Sequence, residues 1–350
     1  MTATAVLATN GQLTTPYGKT AHGLIRGSSR YTIVGVVDVA AAGRDAGEAL
    51  DGTHRNIPVH ATLRDLLSIL PEKPRYYILG YAVPGGAIPP EARAGIVEAL
   101  EAGISVVSGM HRYLIDDSEL CALATRHGAE LIDVRKPRGE KHFWSGAVLN
   151  VKAPRIAVLG TDCAIGKRTT ARLITELCNA NGLRTEFIGT GQTGWMQGAR
   201  FGFILDSTLN DFVGGEIEHA IVSAASETNP ELIVLEGQSA LRHPAGPCGA
   251  EFIVSGGARG VILQHAPARE FFSGFDKLGL RIPPIVEEIQ LIRLLGAETL
   301  AITLNTAGLT PERLAVERAR LGNETGLPVA LPLEEGLDML LPILRDYAAR

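Results

Sequence analysis

Short apolar runs alternate with longer amphipathic stretches along the whole chain, which predicts a repeated strand–helix pattern. In the first half, the runs predicted as strands are Ala5–Ala8, Thr32–Asp38, Tyr76–Tyr81, Ser105–Ser108 and Glu130–Val134. In the second half, they are Arg155–Gly160, Thr185–Gly189, Leu232–Glu236, Val261–Gln264, Leu300–Leu304 and Pro328–Leu331. The predicted helices between them are Leu63–Leu70, Pro90–Ala102, Thr169–Asn179, Gly215–Ser226, Pro284–Leu295 and Pro311–Leu321. This alternation favours the α/β class, with parallel sheets covered by helices on both faces.

Composition narrows the class of protein. The 45% of hydrophobic residues can build sizeable cores, and the formal net charge of −5, with both signs interspersed, argues against a nucleic-acid-binding protein. No stretch approaches the ~20 apolar residues of a membrane span, and the N-terminus lacks the pattern of a secretory signal. The scattered cysteines form no C-x-x-C pair, so we expect neither a zinc site nor a disulfide framework. The expectation is a soluble cytoplasmic enzyme that acts on a small molecule, without a membrane or nucleic-acid partner.

The stretch around the end of the predicted strand Arg155–Gly160 has the pattern of a phosphate-binding loop. Its residues are Gly160, Thr161, Asp162, Cys163, Ala164, Ile165, Gly166, Lys167, Arg168, Thr169 and Thr170. Glycines let backbone N–H groups turn inward around anionic oxygens, and the helix that follows adds its positive N-terminal end. Lys167 adds a charge for the outer phosphates, and Thr169 or Thr170 could ligate magnesium. We predict that this whole stretch binds a phosphorylated cofactor.

The loop departs from the common pattern G-x-x-x-x-G-K-[ST]. Five residues separate its glycines, and Arg168 stands where the metal-binding hydroxyl belongs. The longer form G-T-D-x-x-x-G-K resembles the loop of dethiobiotin synthetase, but the displaced hydroxyl weakens the case for ATP hydrolysis. The loop by itself leaves open whether the phosphates belong to ATP or to a cofactor such as coenzyme A.

A domain boundary is predicted at residues 150–154, directly before the strand that feeds the loop. A chain of 350 residues favours about two domains. We therefore predict a Rossmann-like domain at 1–150 and a P-loop NTPase-like domain at 151–350. The first domain has no G-x-G-x-x-G after its first strand, so Asp38, at the end of the second, is only weak support for NAD.

Polar residues follow several predicted strands at their carboxyl ends, where ligands gather in open parallel sheets. Glu236 is an acid of the kind that serves a P-loop site through magnesium or a water. Asp206 could bind magnesium or receive a proton from an amine. His265 could be a general base, or it could hold a loop by hydrogen bonds. Cys163 could be a nucleophile, but no base is evident next to it in sequence.

Four residues are candidates for binding a substrate: Arg26, Arg112, Gln192 and Arg242. The segment Lys19–Arg26 places lysine, histidine and arginine around a glycine, a combination suited to a carboxylate or phosphate. Gln192 lies in Gly189–Gly194, where three glycines indicate either a close approach to a ligand or a flexible loop.

Seven segments together resemble one known family. They are KTAHGLIR from Lys19, VPGGAIPPE from Val83, VSGMHRYLIDDSEL from Val107, IDVRKP from Ile132, GTDCAIGKRTTA from Gly160, GTGQTGWM from Gly189 and LEGQSALRHP from Leu235. The chain resembles the two-domain, P-loop-containing family that includes D-glutamate N-acetyltransferase. The likeness covers nearly the whole chain, and Arg168 is expected in that family. It implies acetyl-CoA as the donor and a D-amino acid, D-glutamate, as the acceptor.

Such a transfer needs a base, oxyanion donors and cations for the substrate carboxylates. We expect Glu236 or Asp206 as the base, with His265 as a lesser candidate, and N–H groups of Gly189–Gly194 as oxyanion donors. Two other hypotheses stay open: an ATP-dependent ligase or kinase acting on a small acid, which alone would need magnesium, and a nucleotide-binding regulatory protein without turnover. A homo-oligomer is expected, as is common among such enzymes.

Overall fold

The computed structural model describes residues 2–82, 88–137 and 139–350. The first five residues of the VPGGAIPPE segment lie outside these ranges. The chain forms two compact units. Unit 1 comprises Met1–Arg138 and Gln192–Gly198, and unit 2 comprises Gly139–Gly191 and Ala199–Arg350. In the described ranges, no helix is both long and apolar enough to cross a membrane.

Residues 139–150 lie in unit 2, although the sequence predicts the domain boundary after them, at residues 150–154. The carboxylate of Glu218 holds them there, because it accepts hydrogen bonds from Ser145 N at 2.7 Å and from Val148 N at 3.2 Å. Val148 is also part of the hydrophobic core of unit 2. Residues 139–150 therefore belong to unit 2, whereas the sequence predicted the boundary at residues 150–154.

Unit 1 is built on a parallel sheet with the strand order β3-β2-β1-β4-β5-β6. Its strands are β1 (Ala3–Ala8), β2 (Tyr31–Val37), β3 (Val59–His60), β4 (Tyr76–Leu79), β5 (Ser105–Ser108) and β6 (Leu131–Asp133). Its first helices are α1 (Lys19–Arg26), α2 (Ala46–Asp51), α3 (Leu63–Ile69), α4 (Pro90–Glu101) and α5 (Ser118–His127). This strand order is that of the Rossmann fold.

Unit 2 is built on a second parallel sheet, with the order β13-β12-β11-β7-β10-β8-β9. Its strands are β7 (Arg155–Gly160), β8 (Thr185–Gly189), β9 (Phe201–Gly202), β10 (Leu232–Glu236), β11 (Gly260–His265), β12 (Glu298–Leu304) and β13 (Val329–Ala330). The remaining helices are α6 (Lys167–Ala180), α7 (Gln192–Met196), α8 (Asn210–Thr228), α9 (Ala250–Val254), α10 (Ile285–Leu294), α11 (Pro311–Thr325) and α12 (Leu341–Ala348). Of these helices, α7 belongs to unit 1.

Both faces of the unit 2 sheet are buried, as its continuous apolar strands predicted. Along β7, Ile156 and Val158 belong to one hydrophobic cluster, whereas Ala157 and Leu159 belong to another. The two-domain α/β fold, Rossmann-like and then P-loop, is therefore confirmed. Since β7 lies between β10 and β11, the chain leaves it in one direction and later returns on the other side. Such a reversal opens a crevice at the carboxyl end of the central strand, where ligands bind in open sheets.

The segment Lys19–Arg26, interpreted from sequence as a ligand-binding cluster, forms α1. Its Thr20, Ala21, Leu24 and Ile25 are buried. The spacing of these buried residues is that of an amphipathic helix packed on a core. The sequence interpretation rested on the charged residues around the glycine and did not predict this helix.

Candidate phosphate-binding and active site

A six-residue loop, 161–166, joins β7 directly to α6. Two of its residues have positive φ, Ala164 at 51° and Gly166 at 110°. A Cβ on Gly160 would lie only 2.9 Å from Ile165 Cδ1, so the loop is packed tightly against the last residue of β7. Within the described structure, α6 has neither a side-chain cap nor an acid in its first turn. Its first N–H groups therefore face the crevice as donors suited to an anion.

Lys167 is buried at the centre of this loop, with 6% of its surface exposed. Its Nζ donates hydrogen bonds to Asp162 O at 2.7 Å and to Ser239 O at 2.6 Å. Ser239 follows β10, so the ammonium group links the ends of two neighbouring strands. The positive charge is thereby held at the place where the loop pattern predicts the phosphates.

Asp162 ties the loop to the chain that follows β11. Its fully buried carboxylate accepts hydrogen bonds from Cys163 N at 2.7 Å, Arg269 Nη1 at 2.7 Å and Ser273 N at 3.1 Å. Arg269 also donates to Cys163 O at 2.7 Å. These bonds satisfy the carboxylate within the protein, which indicates that Asp162 shapes the loop.

His243 presents a buried, unpartnered ring nitrogen to this loop. Its Nδ1 accepts a hydrogen bond from Ala245 N at 3.3 Å, which leaves the proton of the neutral ring on Nε2. Among the residues that the structure describes, Nε2 has no hydrogen-bond partner, and it lies 3.6 Å from Asp162 Oδ1. Burial lowers the pKa of His243, so the ring is neutral near neutral pH. An orphaned buried donor at the rim of the loop is explained if a ligand accepts from it.

Asp162, Cys163 and His243 form a group in which one metal-ligating atom of each lies within 4.8 Å of the others. This arrangement places a base near Cys163, which the sequence had not shown. However, Arg269 already neutralises the Asp162 carboxylate, and the Lys167 ammonium donates to the Asp162 carbonyl. Two cations this close repel a divalent ion, so we assign no metal to the group.

Glu236 ends β10 beside the loop strand, where Gly237 N donates to Val158 O at 3.1 Å. Its side chain is 3% exposed and accepts a hydrogen bond from Thr190 N at 2.9 Å. Burial raises the pKa of Glu236, against the positive charge of Arg168 and the N–H groups of Thr190 and Gly191, which lower it. Thr190 and Gly191 were predicted to serve as oxyanion donors, but their N–H groups are directed to this carboxylate. The glycine-rich segment therefore supports Glu236 at this point.

His265 ends β11 and lies on the other side of the loop. Its Nδ1 shares a hydrogen bond of 2.9 Å with Thr161 Oγ1. Burial, together with the positive charge of Arg320, lowers the pKa of His265 to about 4. The ring lines a cleft of about 200 Å³ together with Arg269, Arg281 and Arg320, and with the acids Glu270 and Glu324.

Asp206 lies at the other end of the sheet, in a short 3₁₀ turn, Leu205–Ser207, that follows β9. It is exposed, and Leu205 N before it donates to Thr190 O at 3.0 Å. The loop, Glu236 and His265 thus cluster around the end of β7, while Asp206 lies three strands away in the same sheet.

Two of the arginines predicted to bind substrate already hold carboxylates of the protein. Arg26 contacts Asp51 at 3.1 Å, and Arg242 contacts Glu288 at 2.9 Å and Glu287 at 2.7 Å. Both arginines therefore have carboxylate partners within the protein, and their predicted substrate role stays a prediction.

The other two predicted substrate residues lie in unit 1. Arg112 is exposed after β5. Gln192 is buried at the start of α7, and a Cβ on Gly109 would lie 2.8 Å from its Cγ. Gln192 therefore packs within unit 1, although the sequence places it in the glycine-rich segment after β8.

Three further residues shape the site: Arg269, Ser239 and His243. From sequence, Ser239 belongs to the polar run that follows the predicted strand Leu232–Glu236, and the role of His243 before Pro244 is ambiguous. Sequence reasoning missed only Arg269, although it follows the end of β11 by four residues. His243 is further along the chain, and only the fold brings it to Asp162.

Matches to known protein families cover most of the chain. Residues 39–137 match a Rossmann-like domain and residues 142–341 match a P-loop domain, each described as a domain of unknown function, DUF1611_N and DUF1611_C. The chain belongs to the DUF1611 family.

The chain is also similar to two curated relatives and to one solved structure. A protein of Pseudoalteromonas sp. named D-glutamate N-acetyltransferase is 29% identical over 273 residues, which cover 76% of this chain and 80% of the relative. A protein of the same name from Tritonibacter scottomollicae is 30% identical over 275 residues, with the same coverage. The crystal structure of a DUF1611 family protein from Anabaena variabilis is similar, with a TM-score of 0.89, 29% identity and coverage of 98% of this chain and 99% of that chain.

Proposed function

We propose that this protein is an N-acetyltransferase that transfers acetyl from acetyl-CoA to the amine of D-glutamate. The observation that carries the proposal is the similarity to two relatives that bear this name, over about three quarters of the chain. The loop supports it, because it gathers N–H groups and Lys167 for phosphates while Arg168 stands where a magnesium–ATP site has a hydroxyl. For the same reason, the ATP-dependent ligase or kinase is the second hypothesis.

In this proposal the pyrophosphate of coenzyme A binds at the loop. The cleft lined by Arg269, Arg281 and Arg320 is continuous with the loop, because Arg269 and His265 both bond to loop residues. Arginine matches the geometry of a phosphate group. Each of the three arginines already pairs with a carboxylate, Arg269 with Asp162, Arg281 with Glu270, and Arg320 with Glu317 and Glu324. A 3′-phosphate of coenzyme A in this cleft therefore shares its arginines with protein carboxylates.

The pantetheine arm then runs in the other direction, over the ends of β10 and β8. Neighbouring strands are about 4.8 Å apart, so the three steps from β7 to β9 span roughly 14 Å. This distance is comparable with the reach of an extended pantetheine arm, and Asp206 lies at the end of it. Cys163, inside the loop, is separated from the thioester by the length of the arm. We therefore favour direct transfer to the amine over an acyl-cysteine intermediate.

In this proposal Asp206 is the general base of the transfer. Its carboxylate accepts a proton from the ammonium group of D-glutamate, which frees the nitrogen lone pair to attack the acetyl carbon. As the C–N bond forms, the C–S bond breaks and coenzyme A leaves as a thiolate. The second nitrogen proton goes to that sulfur, so the products are N-acetyl-D-glutamate, coenzyme A and one released proton. Glu236 is buried beside the loop, so in this scheme it supports the phosphate-binding residues and does not take the ammonium proton.

The test is a thiol-release assay with acetyl-CoA and D-glutamate, run beside L-glutamate and ATP-only reactions. We expect thiol release that depends on D-glutamate and needs no ATP. The absence of thiol release with both enantiomers would overturn the proposal. ADP formation in the ATP reaction would then favour a ligase or kinase.

The role of Asp206 has its own test. Asp206→Asn is expected to lower kcat by about 10²–10⁴-fold, the usual contribution of a general base, while the Kd of acetyl-CoA stays within about twofold. Asp276→Asn is the matched control, because Asp276 also lies in a three-residue 3₁₀ turn of unit 2. A loss of kcat in Glu236→Gln without a change in acetyl-CoA binding would instead identify Glu236 as the base.

A further inference from the structure

The donor set at the loop does not fit the magnesium ion that its fold family commonly holds. In P-loop enzymes, the hydroxyl directly after the loop lysine and an acid from a neighbouring strand hold the ion. Here Arg168 replaces the hydroxyl. Thr170 Oγ1 instead donates to Gln264 Oε1 at 2.6 Å and is 1% exposed, and Thr169 is turned by about 100° from Arg168 around the helix.

The acid of this arrangement is nevertheless present as Glu236, and the positive charge of Arg168 influences its ionisation. Glu236 ends β10 next to β7 and is fixed by Thr190 N at 2.9 Å. The positive charge of Arg168, in the first turn of α6, favours the ionised form of this buried carboxylate. A buried carboxylate needs a cation or hydrogen-bond donors beside it. Compared with the common loop pattern, the change that adds a positive charge is Arg168, which stands where that pattern has a serine or threonine.

A second observation indicates that the crevice receives an anion. His243 Nε2 is a buried donor beside the loop that makes no hydrogen bond within the described residues, with Asp162 Oδ1 3.6 Å away, and Lys167 holds its charge at the same place. These groups, with the uncapped N-terminus of α6, all favour negative charge. A guanidinium can bind phosphate oxygens through two parallel hydrogen bonds, whereas it cannot ligate a metal.

We propose that the Arg168 guanidinium takes the place of the magnesium ion and binds the pyrophosphate directly. The site then binds coenzyme A without a divalent cation. The identity of the ligand as coenzyme A rests on the proposed function, whereas the independence from metal is a property of the loop. The same loop is expected to bind ADP, whose pyrophosphate is similar, without magnesium.

The experiment is calorimetric titration of coenzyme A and of ADP into the full-length protein, in EDTA and in excess magnesium. For the unchanged protein, we expect the Kd for each probe to agree within about twofold between the two conditions. Arg168→Thr restores the common pattern, so it should weaken binding in EDTA by at least about tenfold and recover affinity when magnesium is added. Arg172→Thr, the same change one turn further along α6, is the control and should bind as the unchanged protein does.

Two further variants distinguish the role of the arginine from general damage to the loop. Arg168→Lys keeps the charge without the planar fork, so binding in EDTA should be intermediate and insensitive to magnesium. Glu236→Gln should weaken binding in EDTA, and magnesium should not restore it. Thermal unfolding of each variant identifies those that fail to fold, and for these Arg168→Lys provides the decisive measurement.

The inference is overturned if magnesium strengthens binding to the unchanged protein by tenfold or more, or if folded Arg168→Thr binds normally in EDTA. Failure of the proposed function is a different result. Metal-free binding of coenzyme A without acetyl transfer to D-glutamate would contradict the acceptor and leave the role of Arg168 intact. Acetyl transfer with magnesium-dependent binding would do the reverse.

Discussion

The two units have similar sheets, but they use the end of their first strand differently. In unit 1, residues 9–18 separate β1 from α1, and the fully buried Asp38 holds this turn. Its carboxylate accepts hydrogen bonds from Thr9 Oγ1 at 2.6 Å, Leu13 N at 3.1 Å and Ala40 N at 2.9 Å. In unit 2, only residues 161–166 separate β7 from α6, so the helix N-terminus opens directly at the strand end.

The two connections leave different groups at the end of the first strand, and we expect only the short one to take an anion. A short loop brings helix N–H groups and Lys167 together at the end of β7. A longer turn satisfies its own donors with Asp38. This carboxylate is where a dinucleotide fold has its ribose-binding acid, but its contacts give it a structural role.

The largest effect is expected from Lys167→Ala, which removes the cation of the unit 2 loop. A charge-assisted hydrogen bond to phosphate contributes about 1.5–3 kcal/mol, so the Kd of coenzyme A should rise roughly 10–100-fold. Some loss of thermal stability is expected as well, because Nζ also bonds to Asp162 O and Ser239 O. Calorimetric titration and thermal unfolding measure the two effects separately.

Lys73→Ala is the matched control for this change. Lys73 in unit 1 also donates to a backbone carbonyl, Ala102 O, at 2.9 Å. Its replacement should leave coenzyme A binding unchanged. If Lys167→Ala binds coenzyme A normally while the control does too, the loop is not the phosphate site and the contrast between the units disappears.

Asp38→Ala tests the other side of the comparison. It leaves buried backbone donors of unit 1 unsatisfied, so the free energy of unfolding should fall by about 2–4 kcal/mol. Because Asp38 is satisfied within its own unit, the Kd of coenzyme A should stay within about twofold. Urea unfolding and titration of the same sample give both values. A variant that is fully stable but has lost a ligand would show that the end of β1 is a binding site after all.

A smaller effect should appear as a pH dependence from His265 in unit 2. Its folded pKa of about 4 lies below the value of 6.5 for an ordinary histidine. The unfolded chain therefore binds the proton first as pH falls, and this contribution to stability is complete above about pH 6.5 and is lost toward pH 4. The loss amounts to at most about 3 kcal/mol. His265→Gln should flatten this part of the curve of unfolding free energy against pH.

His54 of unit 1 gives a control of opposite sign. A hydrogen bond to Glu48 raises the pKa of His54, so its contribution is present at low pH and is lost as pH rises through the folded pKa. His54→Gln should leave the acid side of the curve as steep as before. An equally steep curve in His265→Gln would show that another group causes the acid dependence.

Much of the fold and part of the site could be predicted from sequence. The strands β7, β8, β10 and β12 lie where apolar runs of strand length predicted them, because strands buried on both faces read as continuous apolar stretches. The loop between β7 and α6 was equally clear, since its glycines, lysine and following helix are contiguous in the chain. α1 was overlooked because its charges, rather than its apolar spacing, guided the interpretation.

The partners of the site residues could not be predicted in the same way. Arg242 looked like a carboxylate-binding residue, yet Glu287 and Glu288 hold it from more than forty positions further along. His243 reaches Asp162 across about eighty positions, and Arg269 reaches it across 107. Such pairs depend on which strands become neighbours, which no local pattern contains.

By itself, the sequence determined the α/β class, the loop with Arg168 in place of a hydroxyl, and the acids at the strand ends, because each is encoded by neighbouring residues. Only the tertiary structure decided how those residues are used. It buried Glu236 beside β7, directed the N–H groups of Thr190 and Gly191 toward it, and left Asp206 exposed at the far end of the sheet. The physical reason is that burial and long-range hydrogen bonds set the charge and reach of a side chain, and both arise only when distant strands pair.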